Sequence, residues 1–246
     1  MVAGNTALGV KQWRGTAMAI LLLTRPAAAS DRTRAEIARL RPVTRVVISP
    51  AMEIVPVPVT IDTVPAGLIL TSENGAEAAG RMSLPPGVVA WCVGTRTAEV
   101  AKAAGFAAVN ADGDAEVLLR AILSAPDTGP LLHLRGDHAR GDIAPRLRAA
   151  GRAARDLVVY RQEEQPLSAE AKAVLGGAER VVMPLYSPRT AAIVAEQGPF
   201  SAPLQIIAIS AAAARAAERL QPERISQIDN PDGQSMLSAI VDSLVD

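Results

Sequence analysis

The amino-acid sequence predicts an α/β protein of two similar parallel-sheet domains, and three observations lead there. The chain repeats its own motifs at a separation that widens from 111 residues, Leu23 to Leu134, to 119 residues, Gly113 to Asp232. Short leucine-rich or β-branched runs alternate with alanine-rich stretches of helical period, the pattern of parallel strands with crossover helices. Polar residues collect where such a run gives way to a helix. Duplication of one α/β unit is the simplest source of all three. Two such halves make a cleft between them, and a cleft is where a ligand is expected.

The elements follow in order. Residues 1–17 have no counterpart in the second half and no clear periodicity, so they read as an N-terminal extension, with Met18 opening the folded part. Lys11 and Arg14 ahead of an apolar run superficially resemble a secretory signal. That run is short, is cut by Thr24-Arg25-Pro26, and has a counterpart at Leu131-Leu132-His133-Leu134 inside the chain, so we read it as a strand. Strands are expected at 20–24, 46–49, 68–71, 89–93, 131–134, 157–160, 181–185 and 205–209, each an apolar run bounded by turn residues. Helices are expected at 31–40, 74–81, 96–104, 115–123, 139–150, 168–175, 189–196, 211–219 and 234–244. Gly105, Gly151 and Gly198 stand just past three of them, where a helix can end in a left-handed residue. The passages expected to join the halves are Ile54 to Pro58 and Arg161 to Pro166, extended by prolines or polar residues.

Motifs pair along the repeat. Leu-Thr-Arg-Pro at 23–26 answers Leu-Arg-Gly-Asp at 134–137, and Leu70-Thr71-Ser72-Glu73 answers Leu185-Tyr186-Ser187-Pro188. The stretch Cys92 to Ala98 answers Ala208 to Ala214.

Composition excludes more than it suggests. With 25 basic and 25 acidic residues, the chain makes no electrostatic case for nucleic acid or a membrane surface. An aromatic content of 2% argues against a base-stacking platform. The single cysteine, Cys92, excludes an internal disulfide and a multi-cysteine metal site, and its apolar run marks it as a buried strand residue. No segment reaches the roughly 18–20 uninterrupted apolar residues that span a bilayer. A soluble, cytoplasmic protein is expected.

The polar residues fall at one kind of place. Thr24-Arg25, Thr71-Ser72, Gly94-Thr95, Arg135-Gly136, Ser187-Pro188 and Ser210 each stand between a strand and a helix. In an open parallel sheet this is the carboxyl edge, where ligands bind. Hydroxyls and free amides at helix starts can hold carboxylates or phosphates, aided by the helix dipole. Ordinary capping is the competing explanation for each residue alone. Six in register across two halves favour a shared anion-binding cleft.

Other chemistries lack their motifs. The chain has no Walker loop, no G-x-G-x-x-G fingerprint, no G-x-S-x-G elbow and no H-E-x-x-H. His133 lies in a strand and His138 in the loop after it, a spacing that suits a core residue and a solvated one better than a metal pair. Asp114 reads as a helix cap, not a calcium ligand. No cofactor is implied.

The order of motifs resembles uroporphyrinogen-III synthase. It runs from Leu-Thr-Arg-Pro through Leu-Thr-Ser-Glu-Asn-Gly at 70–75, Val-Gly-Thr-Arg-Thr-Ala at 93–98, Leu-Arg-Gly at 134–136, Val-Val-Tyr at 158–160 and Tyr-Ser-Pro at 186–188 to the alanine-rich helix after Ile209. The resemblance covers residues 18–246 and rests on order, since no single motif is specific. It implies two flavodoxin-like domains joined by a two-stranded ladder, with the active site in the interdomain cleft. Residues 18–45 plus 167–246 would form domain 1, residues 59–155 domain 2, and 46–58 with 156–166 the ladder.

The resemblance also implies a reaction. Hydroxymethylbilane, a linear tetrapyrrole with eight carboxylates, loses water and closes with inversion of its last pyrrole, through a spiro intermediate. Such an enzyme is a cofactor-independent lyase of heme biosynthesis, expected here as a monomer. Left alone, the substrate closes without inversion, so the protein's task is chiefly orientation. The implied substrate-binding residues are Thr24, Arg25, Thr71, Ser72, Asn74, Arg96, Thr97, Arg135, Gly136, Ser187 and Ser210. Tyr160, matching the family's Val-Tyr motif, is the implied proton donor to the departing hydroxyl; packing against the ladder is its alternative role. Where relatives carry Gly-x-Thr-Thr-Ala, this chain has Ser210-Ala211-Ala212-Ala213-Ala214 and lacks the threonine hydroxyl at 213. A catalytically weak relative acting as a tetrapyrrole-binding or regulatory protein is the competing reading. Tyr160 discriminates the two, because binding alone needs no proton donor.

Overall fold

The computed structural model describes residues 19–40, 45–139 and 141–244; the expected extension at 1–17 and Met18 lie outside them. Along the chain come β1 (Ile20–Leu23), α1 (Ala27–Leu40), β2 (Val46–Ile48), β3 (Met52–Pro56), β4 (Gly67–Leu70), α2 (Glu73–Gly80), β5 (Val89–Cys92), α3 (Thr95–Ala103), β6 (Ala107–Asn110) and α4 (Ala115–Ser124). There follow β7 (Leu131–Gly136), α5 (Ile143–Ala149), β8 (Ala154–Glu164), α6 (Ala169–Leu175), β9 (Val181–Leu185), α7 (Pro188–Ala195), β10 (Leu204–Ala208), α8 (Ala211–Ala217), β11 (Arg224–Gln227) and α9 (Gly233–Ser243). No helix among the described residues is long and apolar enough to cross a membrane.

The chain divides into two compact units, the first from the segments up to Met52 and from Glu164 onward, the second from Glu53–Glu163. In the first unit the sheet order is β11-β10-β9-β1-β2; in the second it is β3-β8-β7-β4-β5-β6. The internal repeat maps these orders onto each other. Strands β1, β2, β9, β10 and β11 correspond to β7, β8, β4, β5 and β6, and β3 is an additional edge strand. Each unit therefore takes strands from both copies of the repeat.

Why these residues form buried strands follows from the two faces they must satisfy. In the first unit Ile20, Leu22, Val181, Met183 and Ile206 enter one apolar cluster. Their neighbours Leu21, Leu23, Val182 and Ile207 enter another, against Ile37 of α1 and Met236 and Ile240 of α9. In the second unit Leu68, Leu70, Leu132 and Leu134 face one cluster, while Ile69 and Leu131 face Leu118, Ile122 and Leu147 on the other side. A strand covered on both faces has no polar side, which is why these segments read as unbroken apolar runs.

Three strands, β3, β6 and β11, have no such run; β6 and β11 were not expected, and β3 lies in the passage that the resemblance assigned to the ladder. Each is at a sheet edge, and most of its residues are exposed or half-buried. Strand β3, expected as an extended passage, pairs with β8, which runs on to Glu164 through a polar tail. Helix α1 starts four residues earlier than expected, at Ala27, because Ala27-Ala28-Ala29 are strong helix formers and the Pro26 carbonyl accepts from the amides of Ala29 and Ser30. Helix α5 starts four residues later, since Gly141 and Asp142 both hold positive φ. Gly105 and Gly151 have positive φ past their helices as expected, whereas Gly198 does not and instead precedes a cis proline, Pro199.

Candidate functional site

Each sheet has one place where neighbouring strands lead their helices in opposite directions. In the first unit it lies between β1 and β9, in the second between β4 and β7. Open α/β sheets bind ligands outside the carboxyl ends of the strands at such a point. Thr24-Arg25 follow β1 and Ser187 follows β9; Thr71-Ser72 follow β4, and Arg135-Gly136 close β7. Seven of the residues singled out from sequence therefore stand at a switch point.

In the second unit other side chains link them. The Tyr160 hydroxyl is 3.0 Å from Ser72 Oγ, which also accepts the Gly75 amide at 3.1 Å and so caps α2. The ring of Tyr160 lies over Gly136, where an added Cβ would come within 2.5 Å of its Cε2. An irregularity in register aims this tyrosine: Arg135 pairs with Val158 but Gly136 pairs with Tyr160, so one residue of β8 is skipped. Regular alternation would send Val159 and Tyr160 to opposite faces. With the irregularity both enter the same apolar cluster, and the phenol reaches Ser72. Gly75 matters too, because a Cβ there would meet the Leu134 carbonyl oxygen at 2.7 Å. Its absence lets the start of α2 approach β7.

On the other face Thr71 Oγ1 is 3.2 Å from Nε2 of His133, and His133 Nδ1 is 2.8 Å from Asp156 Oδ1. Arg135 Nε lies 3.3 Å from that same oxygen, while its Nη1 donates to the carbonyls of Gly136 and Asp137. His133 is 1% exposed. Burial pushes its pKa below the ordinary value, with the neighbouring Asp156 carboxylate pulling the other way. The sequence placed His133 in a strand and did not single out Asp156. Alternation does put His133 on the Ile69 face, but its partner is set by the β7–β8 register.

In the first unit Thr24 is fully buried, and its hydroxyl has no hydrogen-bond partner among the described residues. Arg25 stacks on Tyr186, 4.0 Å from ring centroid to guanidinium carbon, and its Nη1 is 3.4 Å from Thr33 Oγ1. Burial raises the Tyr186 pKa, and the Arg25 charge opposes it. Ser187 Oγ caps α7 by accepting the Thr190 amide at 3.0 Å and lies 2.8 Å from Thr190 Oγ1.

Of the remaining candidates, Ser210, Arg96 and Thr97 stand one strand away from the switch points, whereas Asn74 opens the helix that follows β4. Ser210 caps α8 through the Ala213 amide, and Ala213 is fully buried. Thr97 is buried in the first turn of α3, whose cap position is Gly94, so Thr97 is no cap. Arg96 is exposed and paired with Glu73 and Glu99. Asn74 is half-buried in the first turn of α2. Two readings apart from the site also resolve: Asp114 caps α4 through the amides of Glu116 and Val117, and Cys92 is fully buried, its thiol pushed up to about 11 by burial. Among the described residues, no group of three or more His, Cys, Asp or Glu is placed to hold a metal ion.

Comparison with known proteins accords with this architecture. A family model described as uroporphyrinogen-III synthase HemD matches residues 36–238. The structure is similar to that of uroporphyrinogen-III synthetase from Helicobacter pylori, with TM-score 0.65 and 16% identity over 92% of this chain and 100% of that one. It is also similar to a mutant uroporphyrinogen III synthase from Thermus thermophilus, with TM-score 0.51 and 15% identity over 92% and 99% of the two chains. Among curated proteins none matches by sequence. The likeness at these identities establishes the two-domain fold, and the model match over most of the chain establishes the family: this chain belongs to the uroporphyrinogen-III synthases.

Proposed function

We propose that this protein converts hydroxymethylbilane to uroporphyrinogen III by dehydration and ring closure with inversion of the last pyrrole. The observation that carries the reading is the Tyr160 hydroxyl at the carboxyl edge of the second unit, 3.0 Å from Ser72 Oγ and locked over Gly136. A proton donor held in one direction suits a reaction that must expel hydroxide from a carbinol. Ser72 can accept from the phenol in the resting state and release it to the leaving oxygen when substrate is bound.

The rest of the chemistry is orientation. Helix starts suit carboxylates, since Ser72, Ser187 and Ser210 already fix the first turns of α2, α7 and α8 and the dipoles favour negative charge. The buried Thr24 hydroxyl at the first unit's switch point, without a hydrogen-bond partner among the described residues, supports this reading, because a protein seldom leaves such a group unpaired without use for it. Arg25, Arg96 and Arg135 each already hold an internal partner. They shape the edges and supply field, and Arg25, whose partners are neutral, is the one best able to pair with a substrate carboxylate.

The test is an assay with freshly made hydroxymethylbilane, separating type I and type III isomers, without added metal or nucleotide. Type III product is expected. Folded protein that yields only the type I isomer overturns the reading and leaves tetrapyrrole binding without chemistry.

A further inference from the structure

Thr71 and Ser72 are adjacent, yet their hydroxyls turn to opposite faces of the sheet end: Ser72 to Tyr160, Thr71 to His133. We propose that Asp156 and His133 fix the Thr71 hydroxyl as a hydrogen-bond acceptor for the substrate, so that Thr71 receives a pyrrole N–H and not a carboxylate, with His133 as a positioning residue. The proposal rests on the synthase reading for the identity of the ligand but not for the polarity of the hydroxyl.

The polarity follows from counting protons. A carboxylate can only accept, so at 2.8 Å from Asp156 Oδ1 the His133 Nδ1 carries the hydrogen. A neutral imidazole has one N–H, which leaves Nε2 bare. The atom 3.2 Å away is Thr71 Oγ1, and between a bare nitrogen and a hydroxyl the hydroxyl donates. Its proton is then spent inward, and only lone pairs remain to face a ligand. A carboxylate has no hydrogen to offer them, whereas a pyrrole N–H does.

Two features keep the device set. Arg135 Nε, 3.3 Å from the same Asp156 oxygen, holds the carboxylate from a second side. Burial at 1% exposure keeps the ring neutral, since the charged form loses its hydration there. An imidazolium would reverse everything: Nε2–H would donate to Thr71 and free the threonine proton for a carboxylate. The arrangement of carboxylate, imidazole and hydroxyl thus sorts the substrate's two kinds of polar group at one atom. Carboxylates go to helix-start donors, and a ring N–H goes to Thr71.

Two experiments decide it. Long-range proton–nitrogen spectra of histidine-labelled parent protein at neutral pH are expected to place the His133 proton on Nδ1 with Nε2 bare. A proton on Nε2 overturns the proposal whatever the protein catalyses. For use of the acceptor, Thr71→Val and His133→Asn are compared with parent in the isomer-resolved assay. The asparagine amide can still serve Asp156 but offers Thr71 no ring nitrogen. Each single variant is expected to raise KM about three- to tenfold with little change in kcat, and the double variant to add nothing further, because both remove one oriented hydroxyl. Thr71→Ser should recover most of the affinity lost in Thr71→Val. Additive losses, or unchanged KM in Thr71→Val, refute the role of the hydroxyl. If the parent itself makes no type III product, the synthase reading falls, and the spectra still decide whether Thr71 is an acceptor.

Discussion

Replacing Gly136 with alanine should dislodge Tyr160 without removing any hydroxyl. A Cβ at this position would lie 2.5 Å from Cε2, 2.7 Å from Cζ and 3.0 Å from Oη of the tyrosine. Carbon atoms in good contact stand about 3.5–4.0 Å apart, so the ring must retreat by roughly 1 Å. Gly136 is not in the left-handed region, so the contact alone sets the cost. Retreat is opposed, because Tyr160 is 5% exposed and packs with Leu70, Leu132 and Leu134. It also stretches the 3.0 Å bond to Ser72 beyond useful length. Overpacking of this kind costs about 1–3 kcal/mol. At about 4–8 °C per kcal/mol for a unit of roughly 100 residues, the melting temperature should drop by about 5 °C or more. The rate of type III formation should fall by about tenfold or more, since the proposed proton donor would leave its place. Calorimetry and the isomer-resolved assay measure the two effects. In a Tyr160→Phe background the stability loss should persist, because the ring still clashes, while the rate should fall no further. A Gly136→Ala protein that melts with the parent and keeps the parent's rate would refute the reasoning.

Tyr160→Phe alone keeps the ring and loses one hydrogen bond, so stability should change by about 0.5–1.5 kcal/mol while the rate drops by about tenfold or more; an unchanged rate returns Tyr160 to a packing role. Ser187→Ala removes the α7 cap and should cost about 0.5–2 kcal/mol in unfolding measurements. Thr97→Val touches no cap, so weakened product binding in a fluorescence titration, without matching loss of stability, is expected if its hydroxyl meets ligand, and parental binding by both variants would make neither a ligand contact. The Cys92 thiol is raised from 9.0 to about 11 by burial. The stability it contributes is therefore full below pH 9 and lost as pH climbs toward 11, because only the unfolded thiol ionises in that window. Cys92→Ala should flatten that part of the stability curve, and equal slopes in the two proteins would contradict burial as the cause.

What was legible in the sequence was whatever burial writes into it. Strands such as Ile20–Leu23 and Gly67–Leu70 are covered on both faces and read as apolar runs. Edge strands such as Arg224–Gln227 touch the core too little to leave a pattern. Ser72 and Tyr160 could each be named from local motifs. Their contact could not, because it depends on the skipped residue at Arg135/Gly136, which turns Tyr160 against the alternation that local reading assumes. The His133–Asp156 pair stayed hidden for a similar reason: 23 residues separate the two, and only the register of β7 with β8 brings them together. Arg96 drew notice as a cation beside a helix start, but acidic residues on its own and the preceding helix already engage it.

The interleaving of the two units sets an order of events at the ribosome. Residues 53–163 are contiguous, so that unit has its whole sheet once β8 has emerged. The other unit begins with β1, α1 and β2 but cannot complete its sheet until β9, β10 and β11 have been made. During synthesis at about 5–20 residues per second, the early β1–β2 pair must wait several seconds for α6 and α7, which cover Ile20 and Leu22. Strands β1 and β2, made before the rest of their unit, are thus among the last to be sheltered, and nascent-chain chaperones have their natural client there.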